Sequence, residues 1–472
     1  MKKQLRRLIV LIIALAISGC VAALLLIGPE KKAPQTESAS TIDSPLPKQN
    51  LKRAEVQNSH GSYRMTLDTI SGLPAELIEM ELLKTVFDGL NALELERVEG
   101  ASAKEAVYGV EMPASRITLH YAETESHHLK IGIREGVSKR YYCAVDGSDS
   151  LYLMDGLLAE RLMTPVQNYL SLQVTPECLA ISPLGVIGDI SFVTAESEIC
   201  IRSAGDPDSS FARELLSFGA VTHVVKGPGI LHELDRTYAT EIFGSLLDLY
   251  AQDIIAYGLS EAELLEKGFA QPDLIVSFDL KNSDKPDTPV YKYKLRLLHK
   301  EDGSHWAAVN ARGIIYRIAG AAFMKANYAG FVDRWFLSPL LVDLKALRIA
   351  TLEGQYLYEI GGTPSNLYIK KQGREVPLDR FRSFYNLVVS AASNGDYLGL
   401  VQTEGSGSLR VEFIYRDELK SPDVLEFYEL DDRRYAVAVN SVTEFAMRRN
   451  YAQTVAGAIV ALETGADIPQ NW

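Results

Sequence analysis

Cysteine is scarce in this 472-residue chain: four occur, and only Cys143, Cys178 and Cys200 lie beyond the first thirty positions. An odd three cannot all pair with one another, which excludes a disulfide framework and leaves buried thiols as the plainer reading. No Cys-x-x-Cys occurs, so thioredoxin-like redox chemistry and the commonest zinc-site spacing are missing. The phosphate-cradling Gly-x-x-x-x-Gly-Lys and the nucleophile elbow Gly-x-Ser-x-Gly are missing too; Gly405-Ser406-Gly407-Ser408 and Gly227-Pro228-Gly229 read as turns. Positive charge is also short. The net charge is −13, and the cations Lys2, Lys3, Arg6 and Arg7 precede an apolar run, so the remainder is more acidic still. Such a surface repels nucleic acid, which is not an expected partner.

What the chain does have is a greasy start. Leu8 to Gly28 is an uncharged apolar run of 21 positions, which as a helix spans about 31 Å, the thickness of a bilayer's hydrocarbon core. The cations before it orient the N-terminus to the cytoplasm and the rest of the chain outside, as a single-pass membrane protein. A competing reading rests on Ile17-Ser18-Gly19-Cys20, similar to a lipoprotein lipobox, in which Cys20 is acylated and becomes the new N-terminus. Both readings put the bulk of the chain on the outer face of a membrane. Residues 29–60 turn to Pro, Ser, Thr, Gln and Lys and read as a flexible tether.

Beyond the tether the chain repeats itself three times. Apolar stripes at helical spacing open each copy: Leu77, Met80, Leu83, Phe87 and Leu90; Leu234, Tyr238, Ile242, Leu246, Leu249 and on to Gln252; Leu378, Phe381, Tyr385, Val388 and Ala392. Leu234-Asp235-Arg236 and Leu378-Asp379-Arg380 make Asp235 and Asp379 the expected N-caps. Short strands follow at Arg116–Tyr121, Leu274–Asp279 and Leu409–Ile414, then at Leu129–Arg134, Tyr293–His299 and Val424–Leu430, then at Ala144-Val145-Asp146, Ala308-Val309-Asn310 and Ala438-Val439-Asn440. Ile117 to Val145 and Val411 to Val439 are both 28 residues, and Ile275 to Val309 is 34, with Asp284 to Pro289 as a loop insertion. Links this short imply antiparallel hairpins. Met324-Lys325-Ala326-Asn327-Tyr328-Ala329 and Met447-Arg448-Arg449-Asn450-Tyr451-Ala452 agree as closing helical segments, with Asn168-Tyr169 in the first copy.

The fold expected is α+β: an N-terminal transmembrane helix followed by three related modules, each a small antiparallel sheet packed with one or two helices. The boundaries are 1–28 for the cytoplasmic stub and anchor, 29–60 for the linker, and 61–190, 191–342 and 343–472 for the modules.

Tyr108-Gly109-Val110-Glu111-Met112-Pro113, the strand at Ile117–Tyr121, Lys130-Ile131-Gly132 and Arg140-Tyr141-Tyr142-Cys143-Ala144-Val145 together resemble the bacterial family called domain of unknown function 4340. Copy two retains Tyr257-Gly258-Leu259 and Pro272 but has Arg296-Leu297-Leu298 at the Ile-Gly step; copy three has Tyr397-Leu398-Gly399-Leu400. The resemblance implies a single-pass extracytoplasmic protein associated with permease and auxiliary components of ABC-type export systems, and it brings no catalytic residues with it.

Local chemistry is thin. His120, Glu123, Glu125, His127 and His128 supply candidate metal ligands, but the segment sits at a hairpin loop, and adjacent His127 and His128 point to opposite faces of a strand. Asp431-Asp432-Arg433-Arg434 reads as a tight turn. The aromatic group Tyr328, Phe331, Trp335 and Phe336 is core or a docking patch. The function expected is therefore that of a non-enzymatic accessory subunit or scaffold of an export complex, without cofactors, tethered through residues 8–28 to the bilayer and touching a membrane protein such as an ABC permease. Two alternatives differ in class: an envelope-glycan binder using Trp306 and Trp335, and a metal-dependent hydrolase centred on His120 and His128.

Overall fold

The computed structural model describes residues 45–47, 50–122, 125–176, 182–205, 208–281, 290–403 and 407–472. The expected anchor at 8–28, Cys20, Cys178, Glu123, the Asp284–Pro289 insertion and Gly405-Ser406 lie outside the described residues. No helix among the described residues is long and apolar enough to cross a membrane.

Alternating burial builds three antiparallel sheets; along the strand Leu274–Lys281, for example, Leu274, Val276, Phe278 and Leu280 are buried and their neighbours less so. Sheet I contains β1 (Arg53–Asn58), β2 (Gly61–Met65), β3 (Glu96–Ser102), β4 (Ser115–His120), β5 (Ser126–Arg134), β6 (Tyr141–Val145) and β7 (Ser150–Met154). Sheet II contains β8 (Ile187–Val193), β9 (Glu198–Ser203), β10 (His223–Lys226), β11 (Leu231–Glu233), β12 (Ala251–Ala256), β13 (Leu274–Lys281), β14 (Val290–His299), β15 (His305–Val309) and β16 (Ile315–Ile318). Sheet III contains β17 (Leu344–Thr351), β18 (Gln355–Thr363), β19 (Asn366–Lys371), β20 (Arg374–Val376), β21 (Tyr397–Val401), β22 (Leu409–Tyr415), β23 (Asp423–Glu429), β24 (Arg434–Val439) and β25 (Val442–Arg448).

The strand orders are β2-β1-β4-β5-β6-β7-β3, β11-β10-β9-β8-β13-β14-β15-β16-β12 and β20-β19-β18-β17-β22-β23-β24-β25-β21. The second and third are the same order throughout, and the first is that order without its two outermost strands on one side. Register carries the same message: Leu129 pairs with Val145, Leu295 with Val309 and Leu425 with Val439. Val145, Val309 and Val439 are thus equivalent, as the spacing predicts.

The register also corrects the alignment one strand away. Ile117 pairs with Leu129, and Val411 with Leu425, but the residue facing Leu295 is Val276, not Ile275. A slip of one residue moves a side chain to the opposite face of a sheet; Val276 is fully buried while Ile275 is only half-buried.

Helices of eight or more residues number five among the described residues: α1 (Met80–Asn91), α2 (Gly156–Met163), α3 (Arg236–Gly244), α4 (Leu378–Val389) and α5 (Asn450–Thr464). Their apolar stripes are buried, with Leu83, Val86, Phe87 and Leu90 on α1 and Phe381, Phe384, Tyr385 and Val388 on α4. Asp235 caps α3 by accepting the Tyr238 N–H at 2.8 Å. Asp379 does not cap α4; it lies in the first turn, and Pro377 holds the cap position. The second stripe ends at Gly244, short of Gln252, which lies exposed on β12.

Three further expectations change. β1 starts at Arg53, inside the stretch read as linker, because Ala54 and Val56 are buried against the β4 pairing. The 190/191 module boundary falls within β8, which belongs to sheet II. Finally, the Met-x-x-Asn-Tyr-Ala agreement is only half structural. Met324 and Lys325 sit in a 3-10 turn while Met447 and Arg448 end β25; Asn327 and Asn450 both start helices. Tyr169 has Phe331 as its counterpart, since their carbonyls accept the N–H of Glu79 and Asp235 and the next residues form the bridges Leu170–Ile78 and Val332–Leu234.

Two compact units result: the described residues up to Asp68 with Glu81–Pro165, and Thr69–Met80 with Val166–Trp472. Sheet I forms the first. Sheets II and III share the second, joined in part by the bridge from Trp335 to Ala392 just beyond α4.

Candidate functional site

In the first unit, α1 and α2 leave a groove of about 710 Å³ between them, within the size range of small-molecule and side-chain pockets, roughly 300–1,000 Å³. Leu82 and Val86 of α1, Leu93 and Leu95 of the following segment, and Leu157 and Leu158 of α2 give it an apolar lining. Asp155 sets the start of α2 by accepting the Leu158 N–H at 2.9 Å. Its C-terminal end is tied to sheet I, where Asn58 Nδ2 donates to the Leu162 and Thr164 carbonyls at 3.1 and 3.0 Å and Ser115 Oγ to Leu162 at 3.1 Å. Gly89 keeps the groove floor low beside Leu158. Charged residues line it too, Glu94, Glu96, Arg140, Asp155 and Arg161, and Arg140 pairs with Glu96. Leu157 is 76% exposed.

In the second unit, polar side chains converge between sheets II and III. The β10–β11 hairpin has no counterpart in sheet I, turns at Gly227–Gly229, and brings His232 to Glu444 on β25 with Nε2 to Oε2 at 2.8 Å. The Tyr328 hydroxyl donates to the same oxygen at 3.2 Å, and burial with the adjacent carboxylate pushes that hydroxyl far above its ordinary range, so it stays a donor. Glu444 Oε1 is buried without a hydrogen-bond partner. Phe445 packs edge-on to His232, and Tyr397 to Tyr328.

A second cluster surrounds Asp423 on β23. It accepts from Ser217 at 2.6 Å, Tyr415 at 2.5 Å, Asn440 at 2.9 Å and Lys420 at 3.1 Å, and Lys420 also donates to Ser217 at 2.9 Å. Burial, then the Asp423 charge, pushes the Tyr415 hydroxyl far up as well. Clefts of about 300 and 570 Å³ flank the Lys226–Gly229 turn. Glu444 takes its His232 contact from sheet II, and Asp423 adds Ser217, from the turn Leu215–Ser217 between β9 and β10, to three donors of its own copy, an arrangement that fixes two bodies together rather than activating a nucleophile.

Sequence reasoning missed Glu444, His232 and Asp423. The signal was available once register is known. Glu444 immediately precedes Phe445, which pairs with Val437; Leu151 and Ile315 hold that place before Tyr152 and Tyr316. Leu151 belongs to a small core with Val110 and Ala144, and Ile315 to one with Leu264, Phe269 and Ala308. A charged residue at a repeated apolar position marks a new neighbour.

The flagged histidines do not converge. His120 and His128 lie on the outer face of sheet I and His127 on the other, as the strand period requires. His128 Nδ1 meets Thr118 Oγ1 at 3.0 Å, while His120 and His127 each have a carboxylate near 3.6–3.7 Å, Glu55 and Glu125. Among the described residues no three His, Cys, Asp or Glu side chains assemble as metal ligands. Burial pushes the Cys143 thiol far up, and Cys200, beside Glu198, is also raised, so neither is a poised nucleophile. Trp306 and Trp335 are half-buried, carry Lys300 and Arg334 over their rings, and line neither cleft.

Residues 75–174 match the family model described as Domain of unknown function (DUF4340). The chain carries a DUF4340 domain. No curated protein and no solved structure matches it. The DUF4340 match takes in α1, β3 to β7, α2 and thus the whole groove, but not β1 and β2, which complete sheet I. The Tyr-Gly turn that carries the resemblance has Gly109 at φ 70°, and Gly258 and Gly399 repeat it at 68° and 70° in the later copies, a conformation that favours glycine at each.

Proposed function

We propose that this protein is a non-enzymatic, membrane-tethered extracytoplasmic scaffold, an accessory subunit of an ABC-type export complex. The observation that carries the reading is the groove of the DUF4340 domain. Its lining is mostly apolar, two of its five charged residues neutralise each other as the Arg140–Glu96 pair, and the helix α2 that forms one wall has no equal-length counterpart at that place in the second copy, where a 3-10 turn at Ala322–Lys325 follows the last paired strand. Such a groove suits an apolar segment of a membrane-protein partner. The polar groups buried between sheets II and III support the same reading, since they serve rigidity. Residues 8–28 would hold the chain in the bilayer.

The test is co-purification of the full-length protein from detergent-solubilised membranes. Recovery of a permease with the wild type, and its loss with Leu157→Glu, is the expected result; Leu157 is exposed enough that the variant folds. A wild-type protein that brings down no transporter component, while binding cell-wall fragments, would replace this reading with the glycan-binding one.

A further inference from the structure

His299 ends β14 and His305 begins β15, and the register makes them a cross-strand pair. Their Nδ1 atoms lie 2.7 Å apart, with ring planes at 80°. One ring therefore donates its Nδ1–H to the lone pair of the other, and both Nδ1 atoms face one point. The backbone holds them there. Asp273 Oδ2 accepts the His299 N–H at 2.7 Å, the Lys300 N–H reaches the Ser304 carbonyl at 2.9 Å, and Asp302 Oδ1 accepts the Ser304 N–H at 2.9 Å. Neither histidine lines the clefts of the second unit or takes part in the contacts between sheets II and III. His299 is exposed and His305 half-buried.

We propose that His299 and His305 form a two-nitrogen chelate for a divalent transition-metal ion that prefers imidazole: copper(II), nickel(II) or zinc(II), with solvent completing the coordination. At a metal–nitrogen distance of about 2.0–2.1 Å, two nitrogens on one ion stand roughly 2.9–3.4 Å apart. The pair needs only a few tenths of an ångström of opening from its 2.7 Å separation. The proton now held between the two Nδ1 atoms relocates by exchange with water to Nε2 of the same ring. Both rings are then Nε2–H tautomers with free Nδ1 lone pairs, and no net proton is released. Magnesium and calcium, which take oxygen ligands, do not fit. Among the described residues no third protein ligand of the usual kinds joins the pair, so the site binds more weakly than a closed four-ligand one. The spacing His-x5-His across Lys300-Glu301-Asp302-Gly303-Ser304 is its sequence signature.

Untagged full-length protein in detergent is titrated with zinc(II), nickel(II) and copper(II) chlorides by equilibrium dialysis and metal analysis. The expected result is one ion per chain fewer in His299→Ala and in His305→Ala at the same free metal, an affinity loss of at least about tenfold, with no additional loss in the double variant. Wild-type binding in the His299→Ala protein overturns the proposal. That variant decides alone if His305→Ala fails to fold, because His299 is exposed and an unchanged unfolding midpoint shows it intact.

Discussion

His232 on β11 and Glu444 on β25 meet at 2.8 Å across the boundary between sheets II and III, with 2% and 1% of their side chains exposed. In the two preceding copies the place of Glu444 is taken by Leu151 and Ile315, each inside a small apolar core of its own copy. The third copy has exchanged that private core for a contact with its neighbour.

Replacing Glu444 with Leu restores the side chain of the first copy but strands His232 and Tyr328. Removing one member of a buried pair costs about 3–5 kcal/mol, whereas replacing both with apolar groups is often neutral. Glu444→Leu is expected to lower the unfolding free energy by that amount, and Glu444→Leu with His232→Phe to recover most of it. All three tryptophans lie in the second unit, so their fluorescence during urea unfolding reports this directly. A single variant within about 0.5 kcal/mol of wild type, the range of ordinary surface substitutions, would contradict it.

Asp423 serves four donors, and its side chain is 2% exposed. Asp423→Ala leaves Lys420 without its carboxylate and Ser217, Tyr415 and Asn440 without an acceptor. A loss of about 3–5 kcal/mol is expected in the same tryptophan-detected transition. Asp423→Asn keeps the shape and should cost less; equal losses for the two would show that charge is what matters.

A Cβ on Gly132 would lie 2.1 Å from the Tyr108 carbonyl oxygen and 3.0 Å from Val110 Cγ1. Gly132→Ala must push the Tyr-Gly turn off β5, at a cost of about 1–3 kcal/mol. The effect should be seen in the far-ultraviolet circular dichroism transition and not in tryptophan fluorescence, because the first unit holds no tryptophan. A fluorescence midpoint that moves with it would mean the two units unfold together.

His223 is buried on β10; Nε2 donates to the Ile187 carbonyl at 2.9 Å, while Nδ1 has no partner. Burial holds its pKa below 6.5 despite that hydrogen bond. The unfolded chain therefore binds a proton that the folded one refuses. The stability conferred by neutral His223 is complete above about pH 6.5 and is lost as pH falls from there through the lower folded value. Between pH 7.5 and 5.5 the wild type should lose more stability than His223→Gln. Parallel losses measured by urea unfolding would rule this out.

The three-copy plan was readable because period-two alternation and short links depend on neighbours in the chain. Val145, Val309 and Val439 could be matched by spacing alone, and α1 and α4 by their stripes. Ile275 was not separable from Val276, because a one-residue slip hardly alters a short apolar run and only pairing with Leu295 decides between them. Asp379 and Asp235 share a local sequence, yet only one caps its helix, since Pro377 had already started the other.

By itself, then, the sequence determined repetition, strand and helix identity, scarcity of redox and metal motifs, and an apolar N-terminal run. Only the tertiary structure decided which copies share a compact unit, that Glu444 and Asp423 are buried against partners 212 and 206 positions away, and that His299 and His305 face each other. Periodicity is set by bonds to near neighbours, but burial and pairing are set by segments that meet only after the chain has folded.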